Sequence, residues 1–311
     1  MGHPSYIDVS QVIDFDDWSR EEEVPTGSRE KATLIDPKTG LHHIYKFPGK
    51  HREHQVWSEL LASCIAGDLL GWDVQHTSIA CLGNRHGNLL RYVYEPESET
   101  FTEGWQFCTR VDPDFDVVKG TRHTLPLIIR VCDGLLDKDL KRDDFMDFWA
   151  RGLALDTLIS NTDRHAENWA IIEGPKGVRM APLYDNGSSL ECGTEKVRLD
   201  RAFDADGKLK AAHLEKQRQK GRHHLRLDKP EKCGGTFEDV CIAFPRHYPE
   251  GRHRFERAKG VDIDAVGHLM NTIAERIPLP DPYSLSERRR QHIYAMLQIG
   301  VERIRNVLCK A

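Results

Sequence analysis

Asn161-Thr162-Asp163-Arg164-His165-Ala166-Glu167-Asn168 is the stretch that decides how this chain is read. It sets a carboxylate at Asp163 and an amide side chain at Asn168, with Arg164 and His165 between them. The residues before it, from Asp143 or Asp144 to about Ile159, carry apolar side chains at helical spacing. Phe145, Trp149 and Leu153 line one side, joined by Met146, Leu158 and Ile159. An acid at the start suits an N-cap. After it, Trp169-Ala170-Ile171-Ile172 reads as a strand, Gly174-Pro175-Lys176-Gly177 as a turn, and Val178 to Leu183 as the partner strand. Tyr184-Asp185-Asn186-Gly187 is the loop that follows. A helix and a hairpin therefore deliver two loops rich in oxygen ligands.

Phosphoryl transfer from Mg-ATP needs a carboxylate beside the attacking hydroxyl and oxygen ligands for the metal. Asp163 and Asn168, with four residues between them, have the spacing of such a base and a metal-binding amide. Asp185, followed by one residue and then glycine, is the candidate second metal ligand. His165 is placed to orient Asp163 by hydrogen bonding. Each piece alone is weak, because Asp-Asn-Gly is an ordinary turn sequence. The weight lies in the ordered set.

That set begins upstream. Pro25-Thr26-Gly27-Ser28-Arg29-Glu30-Lys31 is a turn-rich loop leading into the strand Ala32–Ile35. Asp36-Pro37-Lys38-Thr39-Gly40 is a turn, and Leu41–Phe47 is the return strand. Lys46 at its end is the candidate phosphate contact. Glu59, on a helix expected from His51 to Leu70, is preferred over Glu53 as its partner. Gly27-Ser28 matches neither GxGxxG nor GxxxxGK[ST], so a Walker-type ATPase is unsupported. Backbone N–H groups in such a loop still suit phosphate. Gly71 stands where a C-cap glycine belongs, and strands are expected at Thr77–Leu82 and Leu89–Tyr94. This small mixed unit ends near Pro96.

The 311 residues suit two lobes or two closely packed domains. A net charge of −5 gives no sign of a nucleic-acid binder. Residues 205–260 are locally basic and read as a helix plus an exposed, solvated loop. Eight cysteines without CxxC spacing read as reduced thiols, and a zinc site at Cys233 is a minor alternative. His123, His213 and the pair His223-His224 read as surface histidines. No signal peptide or membrane span is expected, which makes the cytoplasm the default location. The final helix is expected to open at Ser284-Leu285-Ser286-Glu287.

Gly27-Ser28-Arg29-Glu30-Lys31, Lys46-Phe47-Pro48, the Asn161–Asn168 loop and Ala181-Pro182-Leu183-Tyr184-Asp185 together resemble the HipA-type serine/threonine kinases of bacterial toxin–antitoxin modules. The resemblance covers about residues 24 to 190. It implies an α+β, two-lobed protein-kinase-like fold, with a small mixed β-rich N-lobe in residues 1–95 and a larger, mainly helical C-lobe in 96–311. It also implies ATP with Mg²⁺ and transfer to Ser or Thr of a protein substrate. Lys46, with the Gly27-Ser28 loop and Glu59, would serve ATP. Asp163 would be the base, and Asn168 and Asp185 the metal ligands. The adenine would lie against a connecting strand at Tyr92-Val93-Tyr94. The family's autophosphorylated Ser precedes the loop glycine; Thr26 holds that place here, with Ser28 nearby. A small helix-turn-helix antitoxin is the partner implied, with nucleic acid reached only indirectly. Transfer to a lipid or small molecule, and a pseudokinase, are the competing readings.

Overall fold

The computed structural model describes residues 12–14, 18–20, 30–135, 140–191, 196–229 and 231–310. The chain forms two compact units. One comprises Met1–Val93, Asn186–Glu215 and Asp262–Met296; the other comprises Tyr94–Asp185, Lys216–Val261 and Leu297–Ala311. In the first unit two later segments, Asn186–Glu215 and Asp262–Met296, return to the N-terminal segment. Such returns leave no local mark in a sequence.

The first unit holds a six-stranded sheet. Its strands are β1 (Ile13–Asp14), β2 (Ser19–Arg20), β3 (Lys31–Ile35), β4 (His42–Lys46), β5 (Thr77–Leu82) and β6 (Arg85–Arg91), in the order β1-β5-β6-β4-β3-β2. The β3–β4 turn is closed by the Asp36 carboxylate, which accepts from the Lys38 N–H and the Thr39 hydroxyl, and by Gly40 at φ 70°. Leu34, Tyr45, Phe47, Ala80 and Leu89 form one apolar cluster. Helix α1 (Gln55–Cys64) is buried along its whole length, and the Asn88 amide of β6 donates to the Val56 carbonyl. The expected start at His51 is too early. His51 has φ 61°, which no α-helical turn accepts, so the helix begins at Gln55. A π-helical turn at Ile65–Leu69 prolongs it, and Gly71 at φ 63° ends it.

The second unit contains β7 (Thr100–Glu103), α2 (Gly104–Val111), α3 (Leu125–Leu135), α4 (Arg142–Ile159), β8 (Ala170–Gly174) and β9 (Gly177–Met180). The three strands pair antiparallel in the order β7-β8-β9. Trp169 is the centre of its core, with Phe107, Phe145 and Trp149 around it at centroid distances of 6.2, 5.8 and 5.7 Å. Gly104 is required there, since a Cβ would lie 1.9 Å from the Trp169 ring. Asp143 and Asp144 are not the caps expected. Lys141 is the N-cap, and the acids sit in the first turn, where they favour the helix dipole.

Residues 205–260 are more helical than expected. After α5 (Lys196–Arg201) come α6 (Ala211–Lys220), α7 (Phe237–Ala243), two short 3₁₀ turns and α8 (Arg252–Lys259). Phe237, Val240, Cys241 and Phe244 recur at helical spacing and are buried, whereas α6 buries nothing. The chain closes with α9 (Ile263–Arg276) and α10 (Glu287–Lys310). No described helix is long and apolar enough to cross a membrane.

Candidate active site

Helix α4 ends at Ser160, whose left-handed backbone (φ 55°, ψ 42°) turns the chain into the Asn161–Asn168 loop. The loop is held by its own polar groups. The Asn161 side chain donates to Asp156 Oδ1 at 2.9 Å, and its Oδ1 accepts from the Asp163 N–H at 3.3 Å. The Asn168 amide nitrogen donates to the Asp163 carbonyl at 2.5 Å. That bond engages the amide nitrogen, so a metal here would be held by the Asn168 side-chain oxygen. The Asp163 side chain is 45% exposed and thus open to a substrate hydroxyl.

Arg164 lies beneath this loop, fully buried. Its guanidinium grips Asp156 through Nη2 at 2.7 Å and Nε at 3.1 Å. The remaining terminal nitrogen donates to the carbonyls of Tyr184, at 2.7 Å, and Asn168, at 3.2 Å. One nitrogen therefore ties the backbone of Asn168 to that of the residue before Asp185. Burial opposes the charge on Asp156, but Arg164 and the bonds from His223 and Arg164 outweigh it and hold the carboxyl down at about 2. Burial likewise opposes the Arg164 charge, and Asp156 overrides it, with Asp185 adding to the same side. Asp185 itself sits at φ 52°, a left-handed conformation that Asp tolerates better than most residues.

His165 Nδ1 faces Glu167, 3.2 Å from its N–H and 3.4 Å from its carboxylate, while Nε2 lies 4.0 Å from Asp163 Oδ1. That is too long for a hydrogen bond in the resting protein. The His165 ring packs edge-on against His224.

In the first unit, Lys46 Nζ lies 3.6 Å from Glu59 Oε1, with side chains only 9% and 3% exposed. Glu59, and not Glu53, is thus the partner; Glu53 lines a cavity of about 410 Å³ with Lys50, Arg85 and Tyr283. The other Glu59 oxygen accepts from the Asn186 N–H at 2.9 Å. The peptide that follows Asp185 is therefore fastened to the glutamate of the lysine pair.

Thr26, Gly27 and Ser28 lie outside the described residues. Tyr92-Val93-Tyr94 is a bend rather than the connecting strand expected, because pairing with β4 ends once the Tyr92 N–H has bonded the His42 carbonyl. The Tyr92 hydroxyl meets Thr33, and the Tyr94 ring stacks on Phe101 at 5.0 Å. The histidines read as surface residues are not. His123 and His223 are buried, His224 is half-buried, and His213 Nε2 lies 3.0 Å from that of buried His292. Polar partners inside the fold make that burial tolerable. Among the described residues no group of three or more His, Cys, Asp or Glu is placed to hold a metal, so the zinc alternative at Cys233 finds no support. Asp156 was missed by sequence reading. Its signal is a lone carboxylate in the apolar run Leu153-Ala154-Leu155-Asp156-Thr157-Leu158-Ile159.

Comparison with known proteins agrees with this architecture. The structure of a Helicobacter pylori proinflammatory kinase, CtkA, superposes with a TM-score of 0.75 at 18% identity, over 96% of each chain. HipA of Shewanella oneidensis MR-1, from a toxin–antitoxin complex with HipB and operator DNA, superposes with a TM-score of 0.53 at 14% identity, over 94% of this chain and 69% of that one. No protein with a curated description matches the chain. The fold is thus kinase-like, with a β-rich part and a helical part. The family described as the HipA-like C-terminal domain matches residues 24–248, and the chain belongs to that family.

Proposed function

We propose that this protein is a kinase that transfers the γ-phosphoryl group of ATP to a Ser or Thr hydroxyl of a protein. The observation that carries the reading is the bridge made by one Arg164 nitrogen to the carbonyls of Asn168 and Tyr184. It sets the backbones carrying the Asn168 amide and the Asp185 carboxylate on a common support. An amide oxygen and one carboxylate fit Mg²⁺, which takes few protein ligands and completes its shell with phosphate oxygens and water. Bound there, Mg²⁺ would neutralise charge on the phosphates.

The chain's own groups take the remaining roles. Asp163, exposed at the loop surface, accepts the proton of the attacking hydroxyl. His165, whose Nε2 lies 4.0 Å from Asp163 Oδ1, orients it once the two close to hydrogen-bond distance in the substrate complex. Lys46, held by Glu59, contacts phosphate. The Gly27-Ser28 loop and the Tyr92-Val93-Tyr94 bend complete the ATP contacts. Thr26 and Ser28 are the autophosphorylation candidates. By analogy with the HipA–HipB complex, a small helix-turn-helix protein is the expected partner. The reading places the protein in the cytoplasm, where ATP is available and thiols stay reduced.

The test is incubation of the full chain with radiolabelled ATP and Mg²⁺ beside protein, phosphoinositide and aminoglycoside acceptors. Label on protein Ser or Thr, with phosphopeptides covering Thr26 or Ser28, is the expected result. Label confined to lipid or small molecule would overturn the acceptor class. ATP left intact under every condition would overturn the kinase itself.

A further inference from the structure

Asp156 offers four acceptor positions, and four donors fill them. Asn161 and Arg164 Nη2 reach Oδ1; Arg164 Nε and His223 Nε2 reach Oδ2, the last at 3.0 Å. The first three donors belong to the catalytic loop. His223 comes from 67 residues away, and its ring is set by a different segment.

That segment is held by its own backbone bonds. The Leu225 N–H donates to His223 Nδ1 at 3.0 Å, so the ring proton resides on Nε2 and points at Asp156. The His223 N–H bonds the Gly235 carbonyl, and the Gly235 N–H bonds the Leu225 carbonyl. A Cβ on Gly234 would lie 1.6 Å from the His223 carbonyl oxygen, so the two stretches of chain meet backbone to backbone. Arg303 fastens the end of α6, just ahead of this segment, to the loop entrance, donating to the carbonyls of Gln217 and Arg218 and to Ser160 Oγ. With all four donors in place every acceptor position of Asp156 is filled, and Arg164 is bonded at all three guanidinium nitrogens. Without His223, Asp156 Oδ2 keeps one unfilled acceptor position, and the guanidinium fork can turn about its remaining bonds.

We propose that His223 is a positioning residue: through Asp156 it fixes Arg164, and through Arg164 the backbones that carry Asn168 and Asp185. Its effect on catalysis rests on the kinase reading; its effect on the two loops does not. Groups that hold metal ligands from behind typically matter by about 10–100-fold in metal affinity or activity.

Two polar variants test this in the full chain. In His223→Gln the amide nitrogen reaches about as far as Nε2; in His223→Asn it stops short. Amide hydrogen exchange is measured without nucleotide over residues 161–168 and 183–186, with circular dichroism to confirm folding. The expected result is exchange within about twofold of wild type for Gln and about tenfold faster for Asn in both segments, with ATP turnover of the Asn variant about tenfold lower. Equal exchange in wild type, Gln and Asn would overturn the positioning role, whatever the activity. Wild type that exchanges slowly and turns over no ATP would instead remove the kinase reading.

Discussion

A single buried ion pair shows how narrowly the site is specified at the scale of residues. Lys46 and Glu59 are both nearly inaccessible, so removing either charge takes from the other a close counter-charge where water cannot replace it. Lys46→Met and Glu59→Gln are each expected to cost about 3–5 kcal/mol in denaturant unfolding. The double variant is expected to lose clearly less than the sum, by about 1–3 kcal/mol. Additive losses would show that the two side chains do not interact. The two residues were legible in sequence because each sits on an element with strong local pattern, a strand end and a helix. The two loops that carry Asp163, Asn168 and Asp185 were legible because a helix and a hairpin with strong local patterns frame them. Asp156 and His223 were not. Their bond spans 67 residues, and nothing local distinguishes His223 from its neighbour His224.

Elements meet at two glycines whose substitution should act in opposite directions. On α10, a Cβ at Gly300 would lie 2.0 Å from the Leu158 carbonyl oxygen of α4, so the two backbones are in direct contact. Gly300→Ala is expected to force them apart at a cost of about 1–3 kcal/mol. On α9, a Cβ at Gly267 would meet only the Tyr294 ring at an ordinary 3.6 Å. Gly267→Ala is expected to stabilise by about 0.5–1 kcal/mol through helix propensity. Melting temperatures of the two variants check this; a shift of the same sign in both would contradict the packing described. Helices α4 and α10 could be read from sequence because long apolar periodicity survives any tertiary context. Strand β7 could not. Thr100-Phe101-Thr102-Glu103 is one exposed and three half-buried residues, and it becomes a strand only by pairing with β8. The helices within 237–259 were obscured by the charged residues that surround their few apolar positions.

For the molecule as a whole, buried histidines set the pH response. Burial, together with Arg226 and the nearby His165 and His223, pushes the His224 imidazole down to about 3. Burial, His213 and Arg289 push His292 to about 3, against a weaker pull from Glu191. Burial holds His123 well below its usual range too, with His224, His223, Arg226 and His165 adding to the effect. A depressed folded-state value means that the unfolded chain takes up protons first. The stability these groups leave intact above about pH 6.5 is lost as the pH falls toward 3. Between pH 7.5 and 5.5, His224 and His292 should each remove about 1.4 kcal/mol, and His123 acts in the same direction. Asp156, held at about 2, adds a further loss only below about pH 4. Unfolding free energies measured at pH 7.5, 6.5 and 5.5 should therefore fall steadily; a flat profile would mean that these rings are hydrated. Composition indicated none of this. Four of the sixteen histidines, His123, His213, His223 and His224, read as surface residues until the fold placed them wholly or partly inside.

The central claim is that Asp163 and Asp185 serve Mg-ATP phosphoryl transfer, and it is tested most directly by ATP turnover with Mg²⁺ in wild type, Asp163→Ala and Asp185→Ala. Wild type should turn over ATP, and each variant should lose at least about a hundredfold, since base and metal placement carry most of this chemistry. Turnover that is equal in all three proteins would contradict the account.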